Sequence, residues 1–334
     1  MKEYYAMTKQ TKVKILAFFL ILGISISGFA QSWPSLEEVQ KTVDDFSWEL
    51  AKSLPFNSSL GLNWSDAYIG KFFPSLPPHF GVGGSFGITT MDLPVMRTLM
   101  NYFGYSMPFD IGKLILPAYA AEARIGGLFL PFDVGVKFGY LPPVGLWGQN
   151  LDMDYLLVGG DIRYKLLDLK VIKLSVGFGI NYLRGGVSGK VGSDQQIEYG
   201  TESIILEKPE VNLKWDTVSF DFKTQVSFSL LLFTPYAGVA ASYARSSAGY
   251  SIDAPVQYSS GDMQDVIDYI NSEGLVGMDL SDTGISSNIN NTAFGFRAFG
   301  GVSLNFVVFK LDFTGIYSFR DNNFGGSLGF RFQM

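Results

Sequence analysis

The sequence predicts an all-β fold, a single transmembrane antiparallel β-barrel of about ten strands with an N-terminal helical segment. Three observations carry this. The first is the last stretch, residues 292–334, which alternates with a period of two. Phe294, Phe296, Val302, Leu304 and Phe306 fall on one face, and Ala293, Gly295, Arg297, Ser303 and Asn305 on the other. Successive strand side chains point to opposite faces, so this period means strand. A soluble sandwich hides its apolar face, whereas a membrane barrel turns it to lipid and keeps Gly, Ser and charges in the lumen. The second is composition: 38 Gly, 29 Phe and 17 Tyr among 334 residues suit a crowded wall with aromatic girdles. The third is the N-terminus, which reads as an export signal.

Lys9, Lys12 and Lys14 form a positive region before the apolar run Ile15 to Ile24, and Gly28-Phe29-Ala30 supplies small residues for cleavage. The run is too short for a spanning helix and fits a signal peptide over residues 1–30, cut after Ala30. Cys is absent. An exported chain without disulfides must draw its stability elsewhere, and a closed strand ladder supplies it.

Residues 31–78 form an N-terminal helical segment. Ser35 and Glu38 make a capping box, followed by Leu36, Val39, Val43, Phe46 and Leu50 at helical spacing. The helix is expected to end near Ser53, before Pro55, with an irregular stretch from Asn57 to Pro78. Such an apolar stripe must be buried, either in a periplasmic element or as a plug inside the barrel.

The barrel occupies residues 79–334. Strands are expected near 79–91, 118–128, 132–141, 154–165, 171–183, 211–232 and 236–245, followed by the three C-terminal ones. Short connections (129–131, 166–170, 233–235, 309–310) alternate with long ones (92–117, 142–153, 184–210, 246–291), as periplasmic turns and extracellular loops do. Gln195 to Leu206 could add a hairpin and raise the count to twelve. Eight strands result if two weak strands are loops, and the open range is 8–14.

The closing residues Leu328, Phe330, Phe332 and Met334 resemble the assembly signal of bacterial outer-membrane β-barrel proteins. That class usually ends in Phe or Trp, where this chain has Met334. The helical segment before the barrel looks like the plug of the long-chain fatty-acid transporter group, although the Asn-Pro-Ala tripeptide and fourteen strands of that group are absent. The glycine-rich strands are similar to those of barrels from spirochaetes and Bacteroidetes. The resemblance implies the outer membrane of a Gram-negative-type bacterium. It also implies contact with outer-membrane lipid, and with the outer-membrane assembly machinery through the C-terminal strand.

Chemistry is sparse. The net charge of −6 argues against a nucleic-acid partner. A single histidine, His79, falls at the periplasmic end of the first strand, so no enzyme is expected. No catalytic residue, cofactor site or metal site is assigned; a contribution of Asp279 and Asp282 to a Ca²⁺ site is disfavoured. Lumen-lining candidates are Glu122, Arg124, Asp133, Lys137, Asp161, Arg163, Asp221, Lys223 and Arg297, with Asp312, Arg320 and Arg331 on the last strands. Their mixed signs allow a salt-bridged, filled interior or a narrow polar pore, and the filled interior is favoured. Residues 94–103 form an apolar loop with Val95, Leu99, Met100 and Phe103, and Asp262 to Asn271 read as an acidic helix. The expected function is passive uptake or binding of a small hydrophobic or amphiphilic molecule. The alternative is a non-transport surface protein, adhesive or envelope-structural, acting through acidic extracellular loops.

Overall fold

The computed structural model describes residues 36–69, 78–92, 113–127, 131–145, 151–169, 171–190, 195–199, 202–206, 210–253, 256–258 and 284–334. The expected signal peptide, the expected apolar loop with Val95, Leu99, Met100 and Phe103, the expected helix over Asp262 to Asn271 and the Asp279/Asp282 pair lie outside them. One helix, α1 (Leu36–Ser58), precedes thirteen strands. They are β1 (His79–Asp92), β2 (Lys113–Gly126), β3 (Phe132–Gly145), β4 (Leu151–Leu169), β5 (Ile172–Lys190), β6 (Gln195–Tyr199) and β7 (Glu202–Leu206). Then come β8 (Glu210–Phe228), β9 (Phe233–Asp253), β10 (Val256–Tyr258), β11 (Gly284–Phe306), β12 (Phe309–Ser318) and β13 (Asn323–Gln333).

Ten strands close into an antiparallel barrel in the order β1-β13-β12-β11-β9-β8-β5-β4-β3-β2. Closure is by β1 on β13, from Gly81 opposite Gln333 to Thr89 opposite Gly325. The hairpin within Gln195 to Leu206 does form, but β6 and β7, with β10 paired to β7, make a separate three-stranded sheet and add nothing to the wall. Both ends of the strand ladder and the turns β2–β3, β4–β5, β8–β9 and β11–β12 share one end of the barrel, the periplasmic one on the usual barrel plan; the longer connections and the β12–β13 turn mark the outer end.

The wall follows the alternation of the sequence. Phe86, Val136, Phe222 and Phe330 each keep more than half of their surface exposed at 55%, 56%, 55% and 56%, and all point to lipid. Their strand neighbours Ser85, Lys137, Asp221 and Arg331 point inward. The outward band on β8 runs from Val218 to Phe228, eleven residues of tilted strand, which matches the roughly 25 Å apolar belt of outer-membrane barrels. The protein is an outer-membrane β-barrel of the general class that its C-terminus resembles.

The lumen is occupied. Residues 36–69 run through it from the outer end to the periplasmic end, and the chain enters β1 beyond them. Near the top, the Tyr250 hydroxyl on β9 approaches Asp44 Oδ1 at 3.4 Å, and Lys52 lies 3.5 Å from Asp321 in the β12–β13 turn. At the bottom, the Ile69 amide donates to Asp133 Oδ2 at 2.8 Å beside the β2–β3 turn. The helix does not stop near Ser53. It passes through Pro55 and runs one turn further, to Ser58. Proline removes one backbone donor and crowds the preceding turn. Here the surrounding wall holds that turn, and the last carbonyls find other donors: Ser58 Oγ to Pro55 O at 2.9 Å, Ser59 Oγ to Phe56 O at 2.7 Å.

In the outer half of the lumen, Leu50, Ala51, Leu54, Phe56 and Leu60 pack against inward side chains of the wall. These include Met91, Leu157, Leu183, Phe299 and Ile316, and they form one apolar cluster. Burial of this stripe is the main driving force for threading the helix into the barrel. Arg320, expected on an inner strand face, instead lies beyond the end of β12 in the outer turn, where it is 3.7 Å from Asp321. β12 ends at Ser318, two residues short of that position.

A candidate functional site in the lumen and on the outer wall

The nine lumen-lining candidates all face inward and are buried. The structure brings them into two linked groups. Asp133 on β3 accepts from Arg124 Nη1 at 2.6 Å, from Arg163 Nε at 2.8 Å and Nη2 at 2.7 Å, and from the Ile69 amide. Arg124 also reaches Asp161 at 2.6 Å, and Lys223 pairs with Asp161 from the other side. Next to Lys223 on β8, Asp221 accepts from Arg297 at 2.9 Å, from Ser242 at 2.6 Å and from Asn181 at 2.7 Å. Burying charges demands opposite charges close by, and each charge of this ring has one on the barrel wall itself, while Arg124 Nε has no hydrogen-bond partner.

The remaining two candidates bind the plug. Lys137 donates to Ser58 O at 2.7 Å and Leu60 O at 2.5 Å, where the end of α1 leaves carbonyls without helical partners. An ammonium there also meets the negative end of the helix dipole. Glu122 accepts from Trp64 Nε1 at 2.6 Å and from the Ser85 hydroxyl. The Trp64 ring has the Arg331 guanidinium 4.6 Å and that of Arg124 5.5 Å from its centre, both in cation–π range.

Sequence reading missed the plug's own contribution. Asp66 sits between Lys310 at 2.6 Å and Arg331 at 2.9 Å, while its carbonyl accepts from Arg163 at 2.7 Å. Gln225 donates to the carbonyls of Trp64 and Ser65 at 2.7 and 3.1 Å, and Tyr236 donates to that of Asn63 at 3.1 Å. Ser58 and Ser219 hydroxyls are 3.1 Å apart, and Asn57 donates to Thr89 at 2.9 Å. A signal existed: residues 59–69 hold Trp, Tyr, Asp, Asn and Ser between glycines, a composition with side chains to place rather than a bare linker.

Two glycines are required by this path. Gly61 turns the chain out of α1 with φ +85°, in the left-handed region that only glycine enters freely. Gly81 on β1 leaves room for Trp64: a Cβ there would lie 2.7 Å from the indole. At the outer rim, burial pushes the Asp321 carboxyl above its usual range, against the pull of Arg320 and Lys52.

What remains of the lumen is small. Between plug and wall, the described residues enclose spaces of about 20, 30 and 20 Å³, each fit for a water molecule.

The Lsa36-like family model matches residues 145–334, more than half of the sequence. The chain belongs to the Lsa36-like family. The match begins at the end of β3 and takes in every later strand, so the plug and β1 to β3 fall outside it. A search of curated proteins finds no match. Among solved structures, the chain is similar to the outer membrane protease OmpT of Escherichia coli at 9% identity and TM-score 0.42, over 77% of this chain and 97% of that one. A FadL homologue of Pseudomonas aeruginosa aligns at 14% identity and TM-score 0.34, over 72% of this chain and 60% of that one. The translocator domain of the autotransporter NalP from Neisseria meningitidis aligns at 9% identity and TM-score 0.34, over 88% and 97%.

In this Lsa36-like chain the described residues also form a concavity outside the lumen. It is an open cleft of about 950 Å³ on the outer extensions of β5, β8, β9 and β11, lined by Arg184, Lys214, Asp216, Ser247 and Asn288 among others.

Proposed function

We propose that the protein is a sealed outer-membrane barrel that works at the cell surface as a scaffold, presenting its outer strand extensions to a partner rather than conducting solute. The observation that carries this reading is the plugged lumen, in which the spaces left beside residues 36–69 are of single-water size. The plug is also bonded to the wall from Asp44 at the top to Ile69 at the bottom. In this topology α1 begins at the outer rim. The surroundings are those of a Gram-negative-type outer membrane, with the C-terminal strand β13 available to the assembly machinery before it pairs with β1.

This reading gives the barrel no catalytic role. Its support is the chemistry of the lumen, where every candidate acid and base is committed to a partner, and the position of His79, whose Nδ1 is 3.3 Å from the Met334 carbonyl at the periplasmic end.

Planar-bilayer recording of the refolded full-length protein tests the proposal. The expected result is no steady conductance from the intact chain and ion flow after removal of residues 31–69. Steady conductance from the intact chain would overturn the sealed barrel.

A second reading, uptake or binding of a small hydrophobic or amphiphilic molecule, draws on the apolar cluster between α1 and the inward faces of the wall. Such a ligand would replace the helix stripe, so that reading requires the plug to move. Bound apolar ligand in the intact protein with α1 displaced would favour it.

A further inference from the structure

The turns at the periplasmic end carry apolar side chains, where turns that lie in water are polar. Leu166, Leu169 and Val171 stand around the β4–β5 turn, Leu231 and Leu232 form the β8–β9 turn, and Val307 forms the tip of the β11–β12 turn; all are exposed. At the tips, Leu231 is 93% exposed and Val307 is 99% exposed. At the outer end, by contrast, the first residues of β11 expose Ser286, Asn288 and Asn290. A continuous apolar surface of this kind is rarely left uncovered in water.

The backbone of this rim gives a second, independent observation. The Lys165 amide donates to the Pro131 carbonyl at 2.9 Å, Ser229 to Val171 at 2.6 Å, Asn305 to Leu232 at 2.8 Å, Gln333 to Val308 at 2.8 Å and Met334 to Phe80 at 2.9 Å. These bonds carry the ladder past the strand ends around most of the rim. The side-chain amide of Asn305 also donates to the Leu230 carbonyl at 3.3 Å. A turn in water has no need of such bonds, because water satisfies its amides and carbonyls. In lipid each backbone group must find its partner within the protein. Charged side chains at this end follow the same rule. Lys310 turns inward to Asp66 at 2.6 Å, Lys173 reaches the Tyr68 carbonyl at 3.4 Å, and Asp168 pairs with Lys165 at 3.3 Å. Lys170 lies outside the described residues; a lysine at head-group depth is accommodated by its long stem.

We propose that this rim is a lipid-contact surface set into the head-group layer of the periplasmic leaflet, anchoring the barrel below its apolar belt as well as along it. Depth follows from counting along one strand. The outward band on β8 ends at Phe228, and Leu231 is three residues further on. At about 3.3 Å per residue and a tilt of about 35–45°, that adds roughly 7–8 Å, about the depth of one head-group layer. A protein docked in the periplasm meets a patch on one side of the barrel. This surface instead continues the lipid band across six neighbouring strands, β12, β11, β9, β8, β5 and β4. Continuity with the lipid wall and an internally bonded backbone both select lipid as the occupant.

Spin-label accessibility in the full-length protein, refolded into phosphatidylcholine vesicles, tests the proposal. The chain has no cysteine, so Leu231→Cys and Val307→Cys each give one labelling site. Phe222→Cys in the belt and Ser286→Cys on the outer extension are the references. Each nitroxide is relaxed in turn by oxygen, which concentrates in lipid, and by a neutral nickel chelate supplied in the water on both sides. Oxygen should be the stronger relaxant at both turn sites, as in the belt, and the chelate the stronger on the outer extension. A stronger effect of the chelate at either turn site would put the rim in water, free for a periplasmic protein, and would overturn the proposal. A second measurement needs no label. The triple variant Leu166→Ser/Leu231→Ser/Val307→Ser should shift the optimum for insertion toward vesicles of shorter acyl chains, because it fits a thinner bilayer. Heat-modifiable gel migration in detergent confirms that this variant closes its barrel, and an unchanged optimum in a closed barrel would also overturn the proposal.

Discussion

Asp66 shows how much a single residue of the plug can hold. Its carboxylate is the anion shared by Lys310 and Arg331, all three largely buried. Asp66→Asn keeps the shape and removes the charge. Arg331 retains Asp312 at 3.2 Å, but Lys310 loses its one ion pair among the described residues. Breaking a buried pair on one side typically costs about 3–5 kcal/mol. A fall of that size in unfolding free energy is expected from urea titration of the refolded variant, and an unchanged midpoint would mean that Asp66 is not in the lumen. Gly61 offers a second residue-scale test. Gly61→Ala forces a side chain into the left-handed region at φ +85° and places its Cβ 3.0 Å from Glu122 Oε1. The expected loss is about 1–2 kcal/mol. Gly315→Ala is the control: it meets nothing nearer than a carbonyl at 3.8 Å and should change stability little. Residue-level pairing was only half legible in the sequence. The inward charges follow from alternation, but which of them pair depends on strand register and barrel closure. Asp66 belongs to a stretch with no period at all, so no pattern assigned it to a face.

At the scale of elements, the plug and the wall divide the lumen into two zones. The outer zone is apolar, where Leu50, Leu54 and Phe56 meet Leu157, Leu183 and Phe299. The inner zone is polar, where wall cations and amides bind plug carbonyls. The upper zone was hard to read because those strands are apolar on both faces. Tyr155-Leu156-Leu157-Val158 shows no alternation, and such a run does not say which side is lipid. It is a lumen prepared for an apolar helix. The strands themselves were legible because lipid and lumen impose opposite chemistry on alternate residues. Their outer ends were not: β9 and β11 each run well past the lipid band, since Ser, Gly and Asn there obey neither environment. The end of α1 was misplaced for a related reason. Pro55 is a stop signal for a helix in water, whereas inside the barrel the wall supplies what the broken turn lacks. Whether the helix lay in the periplasm or in the barrel was open, because an apolar stripe states that it is buried and not by what.

For the whole molecule, topology sets sidedness. Short turns and both ends of the strand ladder define the periplasmic side, and α1 therefore starts on the outer side. Lys41, exposed on the first turns of α1, should be reachable from outside the cell. A Lys41→Cys variant, in a protein with no other cysteine, should react with a membrane-impermeant maleimide on intact cells. Labelling only after the outer membrane is permeabilised would reverse the orientation. The charge of −6 and the open polar cleft agree with a molecule whose outward surface, rather than its lumen, meets other matter.

The central claim is that residues 36–69 form the interior of the closed barrel, and the hydroxyl pair Ser58 and Ser219 tests it most directly. These two groups are 3.1 Å apart although 161 positions separate them in sequence. The double variant Ser58→Cys/Ser219→Cys, in a chain otherwise free of cysteine, should form one intramolecular disulfide in the folded protein under mild oxidation. Loss of two hydrogens in the intact mass, and a peptide linking the two sites after digestion, would be the expected result. Two free thiols in a fully folded, heat-modifiable barrel after oxidation would contradict the plugged lumen.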